Sequence, residues 1–330
     1  MPSIEQQISQ IRDLINEPRK QHLLLRDHQL WNQLCSSLDV VQDTDVAMEA
    51  YLQNVFPEDT GEKYIRVYGI LQVLVVQQDA VKHLITSLKL PSSMYVSLEA
   101  IKHIREIRIR SIGHPTEKRT KEGQSYHFIS RATMHKEGFQ LMSCLPHKEN
   151  EFEDINISML INKQRHTING MLNEVINELK KQEQEHKEKF KGDSLTDIFT
   201  KNNVRYIVSK VWESIHSDAY PASLGLMHLE LIQKSLVSLK QAIQKRDLWG
   251  AYDSVNYIYK ELEYPIGEVE KYFRGKNDLE SSRDRARVNF FFIDKHLENL
   301  EQIAKEIDED YNTEAQKKRR HPRIGKSKKS

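Results

Sequence analysis

The chain has 330 residues, 38% of them hydrophobic and 29% charged, with only 12 Gly and 9 Pro; that balance points to a mostly helical protein with material for one large core or two domains. Its 49 basic and 48 acidic residues nearly cancel, but eight of the basic ones lie between Ala315 and Ser330, where there is no acid, leaving 41 against 48 elsewhere. An acidic body of this kind is not built mainly as a non-specific DNA binder, and two cysteines, Cys35 and Cys144, make neither a Cys-x-x-Cys motif nor a disulfide framework.

The opening MPSIEQQISQIRDL lacks the apolar core of a signal peptide, and no apolar stretch approaches the length of a membrane span. The expectation is a cytoplasmic protein with free thiols and no membrane association. In chain order, Ile4 to Asn16 reads as a helix with Ile4, Ile8, Ile11 and Ile15 on one stripe. Pro18 separates it from a second helix near Gln21 to Leu38, which carries Leu24, Trp31 and Leu34. A third runs from Asp45 to Val55 and is stopped by Pro57.

The stretch from Tyr64 to Thr116 organises the rest. Ile65, Tyr68, Leu71, Val75, Ala80, Leu84 and Leu88 recur at spacings of three and four, and neighbouring valines and isoleucines widen the stripe. This predicts an amphipathic helix with a broad buried face. Gln72, Gln77, Gln78 and Asp79 interrupt it, read either as a partly exposed face or as a polar network near a site. After a break at Leu90 to Ser93, a second helix starts at Ser92 or Ser93, carries Leu98, Ile101, Ile104 and Ile107, and is closed by Gly113 and Pro115. Its last turns gather Arg105, Arg108, Arg110 and His114. Such an end can hold an anion by charge, although the helix dipole at a C-terminus works against it.

Arg108-Ile-Arg-Ser-Ile-Gly-His114 fits the Arg-x(4–6)-His pattern of the HEPN superfamily, and the chain resembles one bacterial branch of it in Tyr68-Gly-Ile-Leu-Gln72, Gln77-Gln-Asp79 and Ile104-Arg-Glu-Ile-Arg108 followed by Gly113-His-Pro-Thr116. The resemblance runs from about residue 45 to residue 190 and is best between Tyr64 and Thr116. It implies an all-α bundle, and for many members a metal-independent endoribonuclease that dimerises with the Arg and His of each subunit at the interface. Many active members carry a polar residue, often Asn, directly after the Arg; this chain has Ile109.

Beyond Pro115 the texture changes. Thr116 to Gln124 reads as a loop, and Ser125 to Met134 with Gly138 to Leu145 as a β-hairpin beside the Arg/His end, placed to wall a substrate or reach across a dimer. Ile155 to Lys189 reads as one long helix that becomes highly charged from Lys180, with Gly192 and Asp193 as the boundary. Helices follow at Asn203 to His216, Ala222 to Lys245, Leu248 to Leu262, after Pro265, and from Leu279 to Tyr311, the last carrying Val288, Phe291, Phe292, Leu297, Leu300, Ile303 and Ile307. The expected architecture is therefore all-α: a helical bundle over 1–192 with one β-hairpin insertion at about 125–145, a second helical region over 193–312, and a basic disordered tail over 313–330.

RNA can be cleaved without a metal or cofactor when its 2′-hydroxyl attacks the adjacent phosphate. The reaction needs a base, an acid and cations for the developing phosphorane charge. A histidine can serve either proton role near neutrality, and an arginine presents a planar fork to phosphate oxygens. These roles are assigned to His114 and Arg108, with Arg105, Arg110 and Gln72 on the substrate; two copies across a dimer axis would supply two of each. RNA, a second copy of the chain, and an antitoxin or regulatory protein are the implied partners of a toxin or defence effector. The alternative is a non-catalytic helical binding protein of the same fold. A competing constellation, Glu183-x-x-His186 with Glu213-x-x-His216, has di-iron spacing, but Glu183 and His186 lie in a charged stretch where a bundle core would be needed. His127, His135 and His147 surround the hairpin without the Cys and His pairs of a zinc site.

Overall fold

Ser3 starts the first helix through a reciprocal cap: its hydroxyl accepts from the Gln6 N–H, and the Gln6 side chain accepts from the Ser3 N–H. In a computed structural model, the chain is described over residues 2–113, 115–116, 118–120, 123–144, 149–217, 219–275 and 282–319. Helix α1 (Ile4–Ile15) buries the four isoleucines of its stripe. Helix α2 (Pro18–Leu25) opens on Pro18, where the missing N–H costs nothing, so the proline begins a helix as well as ending the preceding segment.

Two expected helices merge. Asp27 accepts from the Leu30 N–H and starts α3 (His28–Gln53), which runs unbroken through residues 39–44. Nothing between His28 and Phe56 is Gly or Pro, and Thr44 satisfies its hydroxyl on the Val40 carbonyl one turn back. Helix α4 (Thr60–Ser87), capped by Asp59, packs against α3. It is the helix expected, rotated at its start: Ile65 and Tyr68 are 73% and 41% exposed, whereas Gln77 and Gln78 are buried. Of the two readings of these polar positions, a partly exposed face is excluded for Gln77 and Gln78.

The second segment is broken into short turns: a 3-10 turn at Ser92–Tyr95, α5 (Val96–Glu99), α6 (Lys102–Arg108) and a π turn at Ile109–Gly113. Ile101, Ile104 and Ile107 anchor it in the core. An antiparallel meander follows in the order β1 (Lys118–Thr120), β2 (Gly123–Ile129), β3 (Gly138–Cys144) and β4 (Glu151–Asn156). The expected hairpin is β2–β3, with His127 opposite Ser143. It is extended by β4, whose Ile155 pairs with Phe139, where the sequence pattern predicts the start of the long helix. Gly138 is needed there, because a Cβ would stand 1.8 Å from the Ile155 carbonyl oxygen. Tyr51 on α3 donates to the Lys136 carbonyl between β2 and β3; burial pushes its phenol up to about 12, so it stays a donor.

Helix α7 (Ile157–Phe190) begins directly after β4, where Asn156 accepts from the Met159 N–H. The chain divides into two compact units, Met1–Lys20 with Leu24–Lys181, and Gln21–Leu23 with Gln182–Ser330. The second holds α8 (Thr196–Lys201), α9 (Val204–His216), α10 (Ala222–Lys245), α11 (Asp253–Phe273) and α12 (Ser282–Arg319) around its own core of residues such as Val211, Leu229, Val255 and Phe290. Asp308 accepts from Ser194 Oγ and from the Leu195 and Thr196 N–H groups, fixing the start of α8. Pro265 lies inside α11 instead of dividing two helices. The buried stripe of α12 opens on Ala286, Phe290 and Ile293, so Val288, Phe291 and Phe292, expected inside, are outside. Helix α12 continues past Tyr311 to Arg319; residues 320–330, the rest of the expected tail, lie outside the described residues. Among the described residues no helix is long and apolar enough to cross a membrane.

Arg165 ties α7 to α3 by bonding Asp45 and Glu49, each at 2.8 Å. That guanidinium holds the Glu49 carboxyl below the usual carboxylate range. A depressed native pKa stabilises the fold above the unfolded value and is lost as pH falls through the native one. The difference in urea midpoint between wild type and Arg165→Leu should therefore be widest near neutrality and narrow below about pH 4. A difference that stays constant across that window would show that the carboxylate contributes nothing.

Candidate functional site

Helix α6 and the π turn after it present three cationic side chains that the sequence pointed to, and the structure gives each a different partner. Arg108 Nε donates to Gln72 Oε1 on α4 at 3.0 Å. Arg105 Nε donates to Gln78 Oε1 at 2.9 Å, and its Nη2 lies 2.6 Å from Asp79 Oδ1. Arg110, in the π turn, is 2.6 Å from Glu153 on β4. Among the described residues, Arg105 and Arg110 are thus paired with carboxylates, whereas Arg108 bonds a neutral amide, which orients the fork without cancelling its charge.

The π turn matters for Arg108. On an ordinary helix the residue five positions on lies about 140° round the axis; in a π turn its N–H returns to the carbonyl of the first residue. A Cβ placed on Gly113 would accordingly sit 3.8 Å from the Arg108 carbonyl oxygen and 2.8 Å from Arg108 Nη1. The guanidinium lies over the bare Cα of Gly113. His114 itself lies outside the described residues. One residue beyond it the chain is pinned again, since the Pro115 carbonyl accepts from the His127 N–H of β2 at 2.8 Å. Gly113→Ala should displace the flexible end of Arg108 while the fold survives. The expected result is an unchanged circular dichroism spectrum with RNA cleavage reduced by up to about 100-fold; unchanged cleavage would show that the glycine seat is dispensable.

Behind Arg105 lies a buried amide cluster. Gln164 of α7 donates to the Leu74 carbonyl and to Gln77 Oε1, each at 2.9 Å, and accepts from Gln78 Nε2 at 2.8 Å. Gln77 Nε2 donates onward to the Val41 carbonyl of α3 at 3.3 Å. Of the two readings of Gln77 and Gln78, the structure shows the polar network. Sequence reasoning missed Gln164 and Glu153. A signal for the first was present: Gln164 sits between Ile161 and Ile168 on the apolar stripe of α7, where an amide needs buried partners.

The other titratable clusters are engaged elsewhere. Burial and the nearby Lys163 ammonium keep the His103 pKa below its usual value, so it brings no charge to the α6 end near neutrality. His127 is buried between Ser143 and Ser125 hydroxyls, at 2.9 and 3.3 Å. A cavity of about 480 Å³ opens between β3, β4 and the loop before β3, lined by His135, Glu137, Gln140 and Asp154 and by none of the α6 cations. His186 contacts the Tyr311 hydroxyl at 3.0 Å, and Glu213 pairs with Lys210 at 2.6 Å. The described residues contain no group of three or more His, Cys, Asp and Glu side chains arranged to hold a metal ion.

Comparison with known proteins finds no family model, no curated protein and no solved structure that matches this chain.

Proposed function

We propose that the chain is a HEPN-like, metal-independent endoribonuclease that works as a homodimer, with Arg108 as phosphate clamp and His114 as acid/base. The observation that carries this reading is the setting of Arg108. A neutral amide holds its Nε, and its fork lies across Gly113, the residue immediately before His114. A cation oriented by a neutral amide can meet phosphate charge, and an imidazole is a side chain able to move a proton near neutrality; together these are what in-line attack of a 2′-hydroxyl on phosphorus requires. The oxygen–phosphorus bond to the 5′ carbon breaks as the new one forms. The hydroxyl proton leaves with the base, and the departing oxygen gains one from the acid. The products are a 2′,3′-cyclic phosphate and a 5′-hydroxyl.

Support for the dimer comes from α4. Ile65, Tyr68 and Gln72 fall on one helical face at i, i+3 and i+7, so two exposed apolar side chains adjoin the partner of Arg108. A second reading, a non-catalytic binding protein, draws support from the pairing of Arg105 with Asp79 and of Arg110 with Glu153, and from Ile109 after the arginine. Digestion of RNA by the purified protein in excess EDTA separates the two. The ribonuclease reading expects cleavage that survives chelation and disappears in His114→Ala. Intact RNA, or cleavage equal in the variant, would favour the binding reading.

A further inference from the structure

The row of amides behind Arg105 has a direction. Arg105 Nε donates to Gln78, Gln78 Nε2 to Gln164, Gln164 Nε2 to Gln77, and Gln77 Nε2 to the Val41 carbonyl, at 2.9, 2.8, 2.9 and 3.3 Å. A guanidinium can only donate and a peptide carbonyl can only accept, so the two ends dictate the sense of every amide between them. Turning one amide round would set oxygen against oxygen on one side and N–H against N–H on the other. All three glutamines are buried, with at most 1% of their surface exposed, so water cannot repair such a fault. The row runs from α3 to α4, across to α7, back to α4 and on to α6.

We propose that Gln164 is a positioning residue for Arg105: acting through Gln78, it fixes the plane of the guanidinium at the rim of the site, so that the outer N–H groups face an RNA phosphate. Among the described residues, the contacts to Gln78 and Asp79 engage three of the five N–H donors, and the other two are the ones proposed to meet a ligand. Of the two Asp79 contacts the one at Nη2 is close, at 2.6 Å, and the one at Nη1 is long, at 3.5 Å, so the carboxylate alone holds the plane loosely. The bond at Nε, set by the row, removes this freedom. The orientation stands on geometry alone; only the identity of the ligand rests on the ribonuclease reading.

The test uses the full chain labelled with ¹⁵N-arginine, the Arg105 signal being identified by its loss in Arg105→Lys. The wild type should show an Arg105 Nε–H that exchanges slowly with solvent. In Gln164→Leu the exchange should quicken by about 10-fold, while the Nε–H of Arg205 stays as it was. Gln77→Met, at the far end of the row, should act in the same sense and serves if the first variant does not fold. Unaltered Arg105 exchange in a folded variant would overturn the proposal. Binding of a 2′-O-methyl RNA, which cannot be cleaved, supplies a second arm. Gln164→Leu and Arg105→Ala should each weaken binding, and the double variant should be no weaker than Arg105→Ala alone. Additive losses would overturn the positioning role. A wild type that binds no RNA would overturn the ribonuclease reading, with the exchange data still deciding the role of Gln164.

Discussion

Replacing His114 by alanine is expected to slow RNA cleavage by about 10²–10⁴-fold, the usual contribution of a positioned acid or base. The expectation follows from the chemistry of the site. Arg105, Arg108 and Arg110 stay charged at neutral pH and cannot serve as acid or base, and burial keeps the His103 pKa lowered. The proton traffic of the proposed reaction therefore falls on His114. The pH dependence supplies an independent check. Wild-type rates should change slope between about pH 5 and 8, the range in which imidazoles as a class titrate, and that inflection should vanish in the variant. Rates measured from pH 5 to 8 on both proteins, with circular dichroism to show that each is folded, decide the matter. An inflection that persists without His114 would move the proton role to another group.

Arg108→Lys is the second large expectation. Charge alone would be kept, so if charge were sufficient the variant would be nearly active. The proposed clamp depends on shape: Nε is committed to Gln72, and the remaining fork extends across Gly113. A lysine is a point charge with no counterpart to Nε and no planar pair of donors. Cleavage should fall by about 10²–10³-fold, the cost of removing one preorganised donor from a developing charge. Gln72→Leu should lower it by less, because the arginine remains but its plane is no longer held. The two variants made together should lose little more than Arg108→Lys alone, since both act on one contact. Single-turnover rates with saturating RNA measure all three. A lysine variant as active as wild type would show that only the charge is used.

How far the chain could be read in advance depended on how local the cause was. The helical character of α4, α7, α9 and α10 was legible because their apolar residues repeat every three or four positions over many turns. The break between α2 and α3 was placed wrongly, because residues 39–44 contain acids and a threonine that suit a loop as well as an exposed helix face, while the deciding cap is a single aspartate, Asp27. Strand β4 was missed because Glu-Phe-Glu-Asp leaves both faces exposed and shows no alternation; it is a strand because β3 pairs with it. On α4 and α12 the apolar residues are numerous enough to define two adjoining stripes, and only the neighbouring helices select which is buried. That is why Ile65, Val288 and Phe291 ended outside.

At the site, the grouping of Arg105, Arg108 and Arg110 was legible from their spacing on one short helix. Their partners were not, because Gln72 and Glu153 lie 36 and 43 residues from Arg108 and Arg110, and Gln164 reaches Arg105 only through Gln78. Gln77 and Gln78 could be recognised as polar residues in an apolar setting. Whether they faced water or one another depended on an amide supplied by a different helix, and no local pattern carries that information.

The central claim is that Arg108 and His114 together cleave RNA without a metal. The most direct measurement is the chemical identity of the new ends formed when wild type, Arg108→Lys and His114→Ala are each incubated with a 3′- and 5′-labelled RNA in excess EDTA. The account predicts 2′,3′-cyclic phosphate and 5′-hydroxyl ends from the wild type alone. Fragments with 5′-phosphate ends, or the same fragments at the same rate from all three proteins, would contradict it.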